Sequence, residues 1–137
     1  MTLLGVVSTG RRPGRGGSSY RYFNFEEMKE QDKELTQAGR VSGDEMWGRI
    51  TCFLERVIPV AEACGVKMAC HPHDPGMPPS GYGYRGIDRA PGTVDGMKKF
   101  IEIVDSSYHG LNFCHGTFSE MCRRPRQEDL RRHPLFW

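Results

Sequence analysis

Two histidines and an aspartate fall within four residues in "MACHPHDPG", residues 68–76, and a cysteine stands beside a histidine in "NFCHGT", residues 112–117. Imidazole, thiolate and carboxylate are the groups that ligate divalent ions such as Mn, Fe, Co and Zn, and imidazole also moves protons near neutral pH. His71 and Cys114 are the candidate metal ligands. A catalytic metal takes three or more protein ligands and keeps a position open for substrate, so His73, Asp74, His115 or residues outside this chain must complete such a site. The same residues have a plainer reading. A strand-end histidine is often a hydrogen-bonded turn residue, and cysteine is among the most buried residue types.

The elements that must position these groups alternate between helix and strand. Ser42-Gly43-Asp44-Glu45 fits the S-x-x-E capping box, and Met46, Trp47, Ile50, Phe53, Leu54, Val57, Ile58 and Ala61 follow at helical spacing, predicting an amphipathic helix over 44–64 that contains Pro59. The run 66–71 is short, mostly apolar and cut off by Pro72, as in a buried parallel strand. A loop rich in Gly, Pro and Tyr occupies 72–92, a length that is usually functional when ordered. Thr93 is placed to cap a helix with Val94, Met97, Phe100, Ile101 and Val104 on one face, ending near Asp105, and a strand is expected at 111–114, stopped at Gly116. Helix, strand, loop, helix, strand at this spacing signals an α/β fold with parallel strands. In such folds the loops leaving the carboxyl ends of the strands collect the ligands. His71 and Cys114 both sit near those ends, and period-two alternation lets both face one side.

The flanking segments carry less. Residues 1–23 open with the apolar run 3–7 and then read as a long Gly- and Arg-rich loop, in which the single Arg15-Gly16-Gly17 resembles one unit of a repeated RNA-binding segment. Residues 24–40 are charged and helix-forming, a solvated helix or surface excursion. The tail 122–137 crowds Arg123, Arg124, Arg126, Arg131 and Arg132, which a solvated helix explains.

Composition narrows the classes. The 137 residues suit one ordinary domain, and 19 basic against 17 acidic residues leave a formal charge of +2, which argues against nucleic acid or anionic lipid as the main partner. No apolar run approaches the ~20 residues of a membrane span, and the apolar start is too short for a secretory signal, so a cytoplasmic protein is expected. Five cysteines without a C-x-x-C pair predict reduced thiols, most of them buried.

The segments "GVKMACHPHDPG", "GYGYRGI" and "GLNFCHGTFSEM" resemble, in order and spacing, the mannonate dehydratase family, whose motifs read His-Pro-Asp-Asp-Pro and Leu-Cys-x-Gly-Ser. "FLERVIPVAEACGVKMA" and "RGGSSYRYF" look like its upstream helix and loop, and the resemblance covers roughly residues 15–121. It implies a xylose-isomerase-like (β/α)8 barrel with a divalent metal, Mn(II) or Fe(II), held by His71, Cys114 and a later histidine and aspartate. It further implies dehydration of D-mannonate to 2-dehydro-3-deoxy-D-gluconate in glucuronate breakdown. In this chain His73 stands where the first of the paired aspartates belongs, and His115 and 117–119 also depart from the commoner motif.

For that chemistry the metal would offset charge on the substrate carboxylate, and a base and an acid, with His73 and Asp74 as candidates, would move the protons. Tyr82, Tyr84 and Arg85 are candidates to close over the sugar acid, Arg85 pairing its carboxylate. A whole barrel takes about 250 residues, so the chain is expected to supply about half of one in residues 1–121, followed by an atypical tail at 122–137. Half a barrel leaves strand edges open, so a homo-oligomer is expected. The rival readings are a sugar isomerase or epimerase on the same fold, and an inactive half-barrel.

Overall fold

The structure is a computed structural model that describes residues 8–31, 34–77 and 83–121. Its elements are β1 (Gly10–Pro13), β2 (Ser19–Tyr22), α1 (Phe25–Gln31), α2 (Gly43–Ala63), β3 (Met68–Cys70), α3 (Val94–Glu102), β4 (His109–Leu111) and α4 (His115–Met121). The fold is mixed α/β. Two small sheets form, an antiparallel β1–β2 hairpin and a parallel β3–β4 pair in the register Met68↔His109, Ala69↔Gly110, Cys70↔Leu111.

Helix α2 forms where the capping box places it, and the Ser42 side chain accepts the Glu45 N–H at 3.2 Å. Thr93 does the same for α3, accepting from Gly96 at 3.0 Å. Leu54 and Ile58 of α2 and Phe100 of α3 form the buried core, with Trp47, Ile50, Met68, Cys70 and Leu111 packed against it. The two helices therefore cover the face of the ladder that carries Met68, Cys70 and Leu111. On the other face Ala69, His71 and Asn112 are exposed.

Four expectations need correction. The segment read as a loop through residue 23 contains the hairpin, whose tip is a 3-10 turn at Arg15–Gly17. Cross-strand bonding between residues of opposite strands wins over the poor strand propensity of its glycines and arginines, and Arg12 lies 4.2 Å over the Tyr22 ring. Strand β4 lies two to three residues earlier than expected, because His109 is buried and its Nε2 donates to the Phe100 carbonyl, 2.9 Å away. Gly116 does not stop the chain there; it lies inside α4. Finally, Cys52 and Cys64 are exposed and Cys70 and Cys114 half-buried, so the described thiols are reduced as expected but none is fully buried, and of these only Cys70 packs against the core. Cys122, the apolar run 3–7 and the arginine tail lie outside the described residues.

The long loop is tied down rather than loose. Asp88 accepts the Gly43 N–H at 2.9 Å, and the Val41 and Asp88 amides bond the Gly86 and Val41 carbonyls at 2.9 and 3.0 Å. Gly83 has φ +54°, and a Cβ there would collide with the Ile87 carbonyl, so the turn closing Tyr84 onto Ile87 requires glycine. Phe53, Val60 and Val66 are 54%, 61% and 55% exposed. No described helix is long and apolar enough to cross a membrane.

Ile58→Ala is expected to lower unfolding free energy by roughly 2–5 kcal/mol in urea, since the side chain is 1% exposed. Val60→Ala, on the open side of the same helix, should cost less than about 0.5 kcal/mol. Equal losses at both positions would contradict this packing of α2.

Candidate metal centre

His71 directly follows β3, and Cys114 directly precedes α4. Parallel pairing of β3 with β4 sends both chain exits to one end of the sheet, where the two side chains lie close enough for each to shift the other's pKa. The His71 ring is oriented by its Nδ1, which lies 2.7 Å from the Pro72 carbonyl. That carbonyl, followed by the Cys114 sulfur, raises the His71 pKa above the ordinary imidazole value. The sulfur sits in a nest of donors. The Thr117 hydroxyl donates to Sγ at 3.3 Å, the Thr117 and Gly116 amides add to it, and the Phe118 amide takes the Cys114 carbonyl at 3.0 Å. The Thr117 hydroxyl first, then its amide and His71, bring the Cys114 thiol down to about 7.

This donor set suits a divalent transition metal. A metal-binding histidine characteristically gives its second ring N–H to a backbone carbonyl, as His71 does to Pro72, and a ligating cysteine must lose its proton. The pair remains two donors: among the described residues no group of three or more His, Cys, Asp and Glu side chains is placed to hold an ion. Asp74 is exposed and acts on His71 only through its field. His115 is exposed and packs edge-on against Phe113.

His73 belongs to different surroundings. It is partly buried, its ring bonds the Arg89 backbone, and its Nδ1 is buried without a partner. Burial, with the Arg89 charge added, pushes its pKa down to about 4, so it is neutral near pH 7. Arg89 donates Nη2 to the Asp74 carbonyl at 3.0 Å, while its Nε is also buried and unpaired. His73, Asp74, Tyr84 and Arg89 line a cavity of about 770 Å³ whose floor is Met46, Ile50 and Phe53; neither His71 nor Cys114 is part of its wall. Arg85 has φ +52° and gives Nε to the Glu34 carbonyl at 3.2 Å, which braces the loop. Tyr82 lies outside the described residues.

Sequence reasoning missed three residues at this rim. Thr117 was hidden by reading Gly116 as a terminus, although a threonine three residues after a cysteine at a helix start signals such a contact. Arg89 has no signal beyond its place in the loop. Glu120, whose carboxyl is raised by burial and by the field of Asp74, lies on the helix that was not expected.

The fold and the donor pair define an α/β protein with an imidazole–thiol site at the carboxyl ends of adjacent parallel strands. The sequence model of D-mannonate dehydratase (UxuA) matches residues 21–128, and the chain belongs to that family. Mannonate dehydratase of Streptococcus agalactiae serotype Ia is 32% identical over 115 residues, covering 83% of this chain and 32% of the relative. That of Endomicrobium trichonymphae is 37% identical over 86 residues, 62% of this chain and 22% of the relative. That of Streptococcus pneumoniae strain 70585 is 31% identical over 97 residues, 71% and 25% respectively. The chain thus spans about a third or less of the length of these relatives. No solved structure matches it.

Alkylation of Cys114, followed by peptide mass mapping across pH, should show a midpoint near 7, with Cys70, raised by burial, reacting only at higher pH. His71→Ala removes one donor and should move the Cys114 midpoint up. A wild-type midpoint at the ordinary thiol value would contradict the donor nest. For His73 the folded pKa lies below the unfolded 6.5, so the unfolded chain binds the extra proton and stability falls as pH drops from about 6.5 to about 4. The loss is at most about 3 kcal/mol, and His73→Asn should flatten that part of a denaturation profile.

Proposed function

We propose that this chain is the segment of a (β/α)8 hydro-lyase that carries its first two metal ligands, and that the whole protein dehydrates D-mannonate or a closely related sugar acid to the 2-dehydro-3-deoxy acid. The observation behind the reading is the meeting of His71 and Cys114 at one end of a parallel strand pair, in a member of the mannonate dehydratase family. Mn(II) or Fe(II) is the ion proposed, with further ligands from beyond the described residues. When bound, it would offset the charge that develops on the substrate carboxylate as the neighbouring proton leaves.

The chain's own residues hold and surround that position. The Pro72 carbonyl fixes the His71 ring, and the donors around Cys114 lower its thiol to about 7, so that its proton is readily given up near neutral pH. Asp74 supplies a carboxylate able to accept a proton, while Glu120, which holds its proton to higher pH, suits the donor that lets the hydroxyl depart as water. Exposed Phe53, Val60 and Val66 support burial against the rest of a barrel or a second copy.

The test is turnover by the protein as its own gene makes it, loaded with Mn(II) and given D-mannonate, with the product read as a 2-keto-3-deoxy acid. Metal-dependent turnover that falls at least about 100-fold in His71→Ala and in Cys114→Ala supports the reading. Isomerisation without loss of water would turn the assignment to an isomerase of the same fold. Absence of both activities from a protein of intact mass 15.5 kDa would leave a non-catalytic half-barrel.

A further inference from the structure

Thr117 is 2% exposed, and its hydroxyl donates to Cys114 Sγ at 3.3 Å. A buried hydroxyl without a partner costs about 1–3 kcal/mol, so this contact holds the threonine as well as the sulfur. Branching at Cβ restricts the side chain to few rotamers, and Phe118, beside it in α4, is 1% exposed. The donor is therefore stationary, and it occupies one side of a sulfur that also meets the His71 ring. An exposed cysteine side chain with no such anchor would rotate among its staggered positions; here one position is selected, the one that meets His71.

We infer that Thr117 is a positioning residue for metal binding: its hydroxyl fixes Cys114 Sγ in the orientation that lets sulfur and the His71 ring share one divalent ion. The inference rests on the metal reading under Proposed function and assigns a role to a residue that does not touch the ion itself. Outer partners of this kind typically govern metal affinity by 10- to 100-fold. The hydrogen bond also draws electron density from the sulfur, so its removal changes the electronic character of the bond that the sulfur makes to a metal.

Cobalt(II) added to the protein as its own gene makes it is the probe, since a cobalt–thiolate bond gives a charge-transfer band in the near ultraviolet that Cys114→Ser should abolish. Thr117→Val keeps the shape and removes the donor. Its apparent cobalt affinity is expected to fall about 10- to 100-fold, with the residual band moved to lower energy, and Thr117→Ser should restore both. Metal-free thermal melts of each variant report whether the fold survives. If Thr117→Val does not fold, Thr117→Ala is compared with Thr117→Ser in its place. Unchanged affinity and an unmoved band in the hydroxyl-free variant would overturn the inference, leaving Thr117 as packing. A wild-type chain that gives no thiolate band with cobalt would instead sink the metal reading, and this inference with it.

Discussion

Parallel pairing over three residues, Met68 to Cys70 against His109 to Leu111, governs the placement of every chemical group in this molecule. Because parallel neighbours run the same way, the chain leaves both strands at the same end, and residues separated widely in sequence arrive together there. The pairing is short, and backbone hydrogen bonds alone would not hold it. It persists because α2 and α3 bury Leu54, Ile58 and Phe100 against one face of the ladder. Burial of that face is what makes the meeting of His71 and Cys114 possible on the far side.

The parts of this arrangement legible in the sequence are those set by local chemistry. Ser42 and Thr93 act as caps because a hydroxyl ahead of a helical run finds orphan amides to serve, and the α2 periodicity stands out because one stripe faces a core. The parts that were not legible depend on tertiary contact. The position of β4 follows from a buried His109 meeting the Phe100 carbonyl, which no strand propensity records. Helix α4 was obscured by Gly116, whose helix-breaking tendency is outweighed by the buried Thr117 and Phe118 around it. The hairpin of β1 and β2 is built from residues typical of loops and exists through cross-strand pairs.

The candidate site divides along the same line. The motif "HPHD" suggested one cluster, yet its two histidines serve different surroundings. His71 joins the sulfur, while His73 enters the cavity with Arg89. Adjacent positions after a strand end point to opposite sides, and residues two apart part company once the extended backbone turns at Pro72. His73 Nδ1 and Arg89 Nε, both on the wall of that cavity, are each buried without a hydrogen-bond partner.

Asp88 shows how the loop and the scaffold share one carboxylate. Its side chain accepts the first amide of α2 while its backbone pairs with Val41. Any displacement of this stretch towards a ligand at the rim would withdraw the acceptor from Gly43 and leave the first amide of a 21-residue helix to the solvent, with the Ser42 cap remaining on Glu45. Loop position and the pairing of the first α2 amide are thereby coupled through one carboxylate, and an occupant that holds the loop in place would also hold the start of that helix.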